Sequence, residues 1–453
     1  MLGSLVPPAR RVGPAVIGGL VAALAAVWLV VGPADGDWGS FVGQLCGALA
    51  ILLMSAALVL ISTLPWVETW FDGIDRAAVW HRRLAMSGLV LLVPHVMLSN
   101  SRHQSGWGSV LAVTGTIGLV SLVVWAVLPR WRDVLPRPLR PRATELGTWL
   151  VGIPWLRRLI GLGQWLLGDY ERWRSLHRLT GLFVAMAFVH GLADATVFAS
   201  PLLRWTFVAV GGIGLAFYVY RETVAPYFVP SHDYQVAAVT PITPDLTELA
   251  LTPLGAPMRF TPGQFAMLFL ESKRGWRRHP FTLSSAPGDG TLRFTIKALG
   301  DDTRDLSQIV RPGMPAVVGG PHGRFTHAKG TGEQIWIAGG IGVTPFLSWL
   351  RAMDQHPVTA QIDFYYSHAG PTPFAHEIAE IAARHDNLRV HLVDTTVDGY
   401  LTPRGVLDAH AGDTADLSVF LCGPAAMVTT FTRGFRRAGV RPRNLHREHF
   451  DWR

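Results

Sequence analysis

Cysteine is nearly absent. Of 453 residues only two are cysteine, Cys46 inside an apolar run and Cys422 in a Cys-Gly-Pro turn, so neither a disulfide framework nor a thiolate metal site can be built. Internal repeats and low-complexity tracts are lacking too, which excludes a repeat architecture. The chain is basic, with a formal net charge of +8, yet it has no separate basic face or tail. Its arginines cluster beside apolar segments instead, so no nucleic-acid partner is expected. Apolar residues, by contrast, make up 49% of a chain long enough for two or three domains, high for a wholly soluble protein.

Runs of roughly spanning length, about 20 residues, lie near 14–32, 41–63, 82–98, 109–128, 176–194 and 202–220. They predict a membrane α-helical bundle of six spans. The first run follows Arg10 and Arg11 but has no clear small-x-small cleavage site after it, and is read as a retained span rather than a signal peptide. With a cytoplasmic N-terminus, Arg76, Arg82, Arg83 and the many arginines between Arg130 and Arg174 fall inside, while only Arg102 and Arg204 fall outside. That asymmetry satisfies the positive-inside rule and places the rest of the chain in the cytoplasm. The segment 145–168 carries Pro154, Arg157 and Arg158 at its middle, which suits a helix lying in the interface better than a seventh span.

After Tyr220 the texture changes. Short alternating stretches such as "QVAAVT", "FAMLFL" and "LRFTIKAL" predict an antiparallel β-barrel, and from residue 334 a strand, Gly-rich turn and helix pattern predicts an α/β domain with a parallel sheet. The expected division is 1–228, 229–328 and 329–453.

Four histidines bracket two of the apolar runs: His81 and His95 on the third, His177 and His190 on the fifth. Polar groups in spans usually face a bundle interior and mark a pathway. Fourteen residues come within about 40° of whole turns, which puts His81 and His95 on one side of a helix about 21 Å apart. Thirteen residues leave His177 and His190 roughly 140° from coincidence, so a bulge, a kink or approach from different sides has to intervene. Because the two spans run in the same direction, His81 and His177 share the cytoplasmic level and His95 and His190 the outer one. Two levels of facing imidazoles suit two bis-His haems, which leave no open position on iron. Zinc is the competing metal, but each level lacks the ligands to complete a tetrahedron.

The stretch "RHPFTLSSAP" at 278–287, with "TPGQF" before it and "IKALGDDTRDL", "GPHGRF", "AGGIGVTPFLS" and "LCGPAAM" after it, resembles the ferredoxin reductase superfamily. In its His-Pro-Phe-Thr form it is similar to the NADPH oxidase and ferric reductase branch, whose six spans with paired histidines extend the resemblance over the whole chain. The resemblance implies FAD held by His279, Pro280, Phe281, Thr282 and Ser284, with Thr282 near the redox nitrogen and Lys297, Gly300 and Thr303 at the pyrophosphate. It implies NADPH or NADH at Gly339, Gly340, Gly342, Thr344 and Pro345, the nicotinamide bordered by Cys422, Gly423 and Pro424. No nucleophilic role is assigned to Cys422. Glycines let the backbone approach phosphates, and a strand before and a helix after "GGIGVTP" supply the context such a turn needs. An aromatic near the C-terminus, Phe450 with Trp452 as the alternative, is implied to stack on the flavin; Thr282, Cys422 and Phe450 then lie nearest to hydride transfer. One departure is His368, in "YYSH", where many relatives carry an arginine for the 2'-phosphate, so Arg351 or Arg404 would have to compensate.

The expected function is electron transfer from cytosolic NAD(P)H through FAD and two b-type haems to a small-molecule acceptor outside, either O2, giving superoxide, or a ferric chelate. Arg82, Arg83 and Arg178 are candidates for the haem propionates, and Asn100, Arg102 and His103 for an outer acceptor pocket. No calcium-binding or docking segment precedes the first span, and no obligatory protein activator is expected. The alternatives are a membrane-anchored flavin reductase serving a protein partner, and a haem-bearing subunit without turnover of its own.

Overall fold

The computed structural model describes residues 9–33, 36–99, 106–127, 153–156, 158, 170–228, 230–272, 275–299, 301–410 and 412–448. The expectations for Asn100, Arg102, His103, Gly300, Phe450, Trp452 and most of segment 145–168 lie outside these residues. The chain divides into two compact units, Met1–Asp72 with Arg76–Tyr227, and Gly73–Asp75 with Phe228–Arg453.

The first unit is helical: α1 Ala9–Val31, α2 Trp38–Leu60, α3 Pro65–Phe71, α4 Ile74–Leu98, α5 Gly106–Val127, α6 Tyr170–His177, α7 Thr180–Asp194 and α8 Pro201–Val219. Small residues let its helices approach closely. A Cβ on Gly118 of α5 would come 2.4 Å from the Phe183 ring of α7, and one on Gly214 of α8 would come 2.5 Å from Ser55 Cα of α2. Phe188 and Phe207 stack between α7 and α8, with centroids 5.2 Å apart.

Six spans were expected, and five are found among the described residues. Val12–Val31, Trp38–Leu60, Gly106–Trp125, Trp173–Asp194 and Pro201–Val224 are long and apolar enough to cross a membrane. The third run fails by composition. Helix α4 is 25 residues long, but Asp75, Arg76, Arg82 and Arg83 occupy its first part, and its uncharged remainder, 84–98, is shorter than the about 20 residues a span needs.

The second unit starts with an antiparallel sheet in the order β4-β3-β6-β1-β2-β5. Its strands are β1 Ser231–Thr243, β2 Leu246–Pro253, β3 Phe265–Ser272, β4 Gly275–Thr282, β5 Leu292–Lys297 and β6 Pro315–His322, with α9 Asp301–Ile309 between β5 and β6. "QVAAVT", "FAMLFL" and "LRFTIKAL" fall in or across β1, β3 and β5. Tyr234, Leu249, Leu268, Leu270, Phe294 and Val318 fill the concave side. An antiparallel barrel was expected, and the sheet is a curled half-barrel. Its edge strands meet only at one end, where Leu283 bridges Phe294 and the Ser284 N–H donates to the Arg293 carbonyl at 2.8 Å.

A parallel sheet follows in the order β11-β10-β7-β8-β9. It comprises β7 Glu333–Gly339, β8 Gln361–His368, β9 Leu388–Asp394, β10 Leu417–Cys422 and β11 Leu445–Arg447, interleaved with α10 Thr344–Ala352, α11 Ala375–Ala382, α12 Pro403–Ala409 and α13 Ala425–Arg437. After β9 the chain crosses back to the other side of β7. The order therefore reverses between β7 and β10, and such a switch point opens a ligand crevice beyond the carboxyl ends of the strands.

Candidate functional site

At that switch point the glycine-rich turn and the Cys-Gly-Pro turn come together. Gly339 ends β7, a short 3-10 turn covers Gly340–Val343, and α10 begins at Thr344 with Pro345 in its first turn. A Cβ on Gly342 would lie 2.3 Å from the Cys422 carbonyl oxygen, and one on Gly423 would lie 3.0 Å from Gly339 Cα, so only glycines allow this approach. Pro424 then caps α13. Gly340 has φ of +53° and open space where a side chain would be, which leaves its backbone accessible to a ligand. Thr344 is already engaged, its hydroxyl donating to the Ile341 carbonyl at 3.1 Å. Cys422 is fully buried, and burial, reinforced by Glu448, pushes its thiol well above the ordinary value, in keeping with a space-filling role.

The expected flavin residues lie on and after β4. Pro280 is tolerated there because β4 is an edge strand. Thr282 is 5% exposed and its Oγ1 is buried without a hydrogen-bond partner. An orphaned hydroxyl costs about 1–3 kcal/mol unless a ligand satisfies it, so this residue fits a flavin edge. Ser284 is used differently. Its Oγ accepts from Thr295 Oγ1 at 3.1 Å and its carbonyl accepts from Arg351 at 2.8 Å, so it joins strands rather than facing outward. Lys297 pairs with Asp245 at 3.4 Å, and the Thr303 hydroxyl accepts from the Leu299 N–H at 3.0 Å ahead of α9. His279, Pro280 and Phe281 are partly buried on β4, with the His279 and Phe281 rings 5.9 Å apart.

Neither arginine considered for a 2'-phosphate is placed for it. Arg351 is only 7% exposed. It makes a fork to Glu377 at 2.6 and 2.9 Å and reaches Glu248 at 2.9 Å, joining β2 to α10 and α11. Burial opposes its charge, but the hydrogen bonds and charges of Glu377 and Glu248 outweigh that and hold the guanidinium above its usual value. Arg404 pairs with Asp408 one helical turn away on a fully exposed face of α12.

The helical unit brings the four histidines together in the expected two pairs. The His81 and His177 ring centroids are 6.3 Å apart, and those of His95 and His190 are 6.4 Å apart. Two imidazoles on one metal, each with a bond of about 2 Å and a ring centre a little over 1 Å beyond its nitrogen, give a separation of about 6.3 Å. In every pair Nδ1 is turned away to a partner. That of His81 meets the Ala57 carbonyl at 2.9 Å, that of His95 the Gly43 carbonyl at 2.9 Å and Ser99 Oγ at 3.1 Å, that of His177 Thr180 Oγ1 at 3.4 Å, and that of His190 Asp194 Oδ2 at 3.1 Å. Such contacts fix ring orientation and leave Nε2 as the ligating atom. The donor set therefore fits bis-His haem. Among the described residues no group of three or more His, Cys, Asp or Glu side chains could hold a metal ion, so a tetrahedral zinc site is not supplied.

Of the propionate candidates, Arg178 is tied by its guanidinium to Glu222, and Arg83 lies over the Trp80 ring at 5.3 Å. Sequence reading passed over Asp194, Ser99 and Thr180. Asp194 had a signal, a carboxylate four residues after His190 at the end of an apolar run, where charged groups are costly.

Residues 231–322 match the family described as "FAD-binding domain" and residues 336–433 that described as "Oxidoreductase NAD-binding domain". The chain is similar to the reductase component of the naphthalene 1,2-dioxygenase system of Pseudomonas putida, 27% identical over 48% of this chain and 67% of that one. It is also similar to the propane 2-monooxygenase reductase component of Rhodococcus jostii, 30% identical over 44% and 59%, and to a flavohemoprotein of a Burkholderia species, 27% identical over 51% and 62%. The chain thus spans between 59% and 67% of the length of these relatives. A solved cytochrome P450 reductase of Amycolatopsis is 26% identical and aligns with a TM-score of 0.42 over 49% of this chain and 71% of that one. The C-terminal half thus carries an FAD-binding domain and an oxidoreductase NAD-binding domain, similar to those of these reductase components, and the protein is an oxidoreductase.

Proposed function

We propose that the chain is a transmembrane flavocytochrome of the NADPH oxidase and ferric reductase type, moving electrons from cytosolic NAD(P)H to a small-molecule acceptor across the membrane. The observation that carries this reading is the matched geometry of the two histidine pairs, each at the ring separation one iron needs and each with Nδ1 occupied elsewhere. When bound, FAD would accept hydride and two b-type haems would pass single electrons.

The chain's own residues hold and orient these groups. Thr282 would donate to the flavin edge, flanked by His279, Pro280 and Phe281, and Lys297, Thr303 and the intervening Gly300, itself outside the described residues, would serve its pyrophosphate. Gly339, Gly340 and Gly342 admit the nucleotide phosphates at the switch point, while Cys422, Gly423 and Pro424 border the nicotinamide. Phe450, outside the described residues, would cover the flavin ring. His81 and His177 hold the cytoplasmic-side haem, and His95 and His190 the outer one. Helix α4 carries His81 and His95 beside the five apolar spans, its charged first part toward the cytoplasmic interface and its His95 end outward. The basic connections keep the N-terminus and the flavin and nucleotide domains in the cytoplasm. With Arg351 and Arg404 both paired to carboxylates, neither arginine selects NADPH over NADH as the donor. The acceptor is O2 or a ferric chelate, and purified protein turns over without a protein activator.

The test is the visible spectrum of detergent-purified full-length protein before and after NADPH, with NADH in parallel. A reduced b-type spectrum, with its outer component lost in His95→Ala and His190→Ala, is expected. Oxidation of NAD(P)H by protein without haem bands would instead select a membrane-anchored flavin reductase. Superoxide and ferric-chelate reduction followed in the same preparation choose the acceptor.

A further inference from the structure

Among the described residues, a carboxylate hydrogen-bonds one of the four histidine rings, that of His190. Asp194 closes α7, one turn beyond His190, with its side chain 4% exposed and Oδ2 at 3.1 Å from His190 Nδ1. The other three Nδ1 atoms meet neutral oxygens, the Ala57 and Gly43 carbonyls and the Ser99 and Thr180 hydroxyls.

The carboxylate is also held from a second helix. Gly108 lies in the first turn of α5, and a Cβ there would come 1.5 Å from Asp194 Oδ2, so any other residue would displace the carboxylate. The first turn of a helix carries a partial positive charge, which favours an anion. Position, burial and the glycine together make Asp194 a built feature of the outer histidine level.

We infer that Asp194 is a positioning residue that sets the reduction potential of the outer haem below that of the inner one, an inference that rests on the bis-His reading given above. A His whose N–H donates to a carboxylate is a more basic ligand, and it stabilises the ferric over the ferrous state; the fixed negative charge acts in the same direction. Among the described residues the inner rings hydrogen-bond neutral oxygens, and the positive charge of Arg221 acts on both of them, so the two centres are set apart in potential. The lower potential sits at the outer level, where an electron is handed to the acceptor, and it lets that centre reduce weak one-electron oxidants.

The experiment is a potentiometric titration of detergent-purified full-length protein, followed at its haem absorbance. Wild type is expected to show two midpoints, with the lower one removed by His190→Ala. Asp194→Asn is expected to raise the lower midpoint and leave the higher one in place, by about tenfold in the ratio of reduced to oxidised outer haem at fixed potential, which for one electron is about 59 mV. Asp194→Glu should restore the low value. Gly108→Ala, which evicts the carboxylate without deleting it, should shift the same midpoint in the same direction and decides the matter if Asp194→Asn retains no outer haem. Unmoved midpoints in the haem-retaining variants, or movement of the higher one, would overturn the inference. Wild-type protein with no haem would overturn the bis-His reading itself, a separate result.

Discussion

The Thr180 hydroxyl donates to the His177 carbonyl at 2.5 Å, across the turn that ends α6 and lets α7 begin. This turn resolves the thirteen-residue spacing. In a continuous helix His177 and His190 would point roughly 140° apart, but two helices joined at 178–179 need not share a phase, and each histidine meets a partner on α4. Thr180→Val removes both this bond and the 3.4 Å contact to His177 Nδ1. A neutral hydrogen bond contributes about 1 kcal/mol, so roughly a fivefold weaker hold on the haem proposed for His81 and His177 is expected, with Thr180→Ser close to wild type. Haem per protein after dilution in detergent measures it, and full retention in Thr180→Val would count against the turn's role.

The histidine pairs were legible because a polar ring is conspicuous in an apolar run, and residue spacing alone brought His81 and His95 to one side of a helix. What they lean on was not legible. The Ala57 and Gly43 carbonyls are backbone atoms of another helix, and no residue type marks them. Arg351 misled for a related reason. A basic residue in a nucleotide domain suggests a phosphate, whereas its partner Glu248 lies 103 residues away, on a strand of the other sheet. The barrel was overdrawn because alternation reports a two-faced strand without saying how far the sheet curls. The glycine turns were the clearest, since strand, turn and helix follow one another in sequence as they do in space.

Arg351 joins strand β2 of the antiparallel sheet to helices α10 and α11, and its loss should cost more than its charge alone suggests. Removing one member of a buried ion network leaves the others uncompensated, typically at about 3–5 kcal/mol. Arg351→Met should therefore unfold the C-terminal half at clearly lower temperature, and combining it with Glu248→Gln and Glu377→Gln should recover part of the loss. Thermal melts read from flavin release check this. A triple variant no more stable than Arg351→Met would show that uncompensated charge is not the cause.

Gly342→Ala places a methyl group 2.3 Å from the Cys422 carbonyl oxygen, and the obstacle is backbone that cannot rotate away. The two turns must separate, so nucleotide use should fall by more than tenfold in kcat/KM for NAD(P)H, while FAD content stays near wild type. A dithionite-reduced haem spectrum unchanged from wild type would locate the damage in the nucleotide site. Normal kcat/KM in this variant would remove the switch-point crevice from the reading.

Thr282→Val makes a prediction of opposite signs. Without flavin the valine relieves a buried hydroxyl that has no partner, so the apoprotein should become slightly more stable. With flavin it removes a donor, and FAD affinity should fall by about five- to thirtyfold, the equivalent of about 1–2 kcal/mol. Fluorescence titration of apoprotein with FAD, paired with apoprotein melts, reads both. Equal affinity for FAD would show that the hydroxyl faces something other than the flavin.

His327 gives the C-terminal half a dependence on mildly acidic pH. Its ring lies against Trp349 and Trp336, at 5.4 and 5.9 Å, and burial holds its pKa down to about 4. The unfolded chain takes up a proton at about 6.5, so between these values the unfolded state binds a proton that the folded state refuses, and stability falls as pH falls through that window. The full difference is worth up to about 3 kcal/mol. His322, lowered by burial and then by Arg278, acts in the same direction. Asp363 acts lower. Burial would raise its pKa, but His391 and Arg389 bring it to about 2, so its contribution is lost only as pH falls below the ordinary carboxylate range. Melting temperature should therefore decline from pH 7 to 5 in wild type and less steeply in His327→Gln, with the two curves converging in slope above pH 7. Parallel curves throughout would show that His327 is not the group that couples protons to folding.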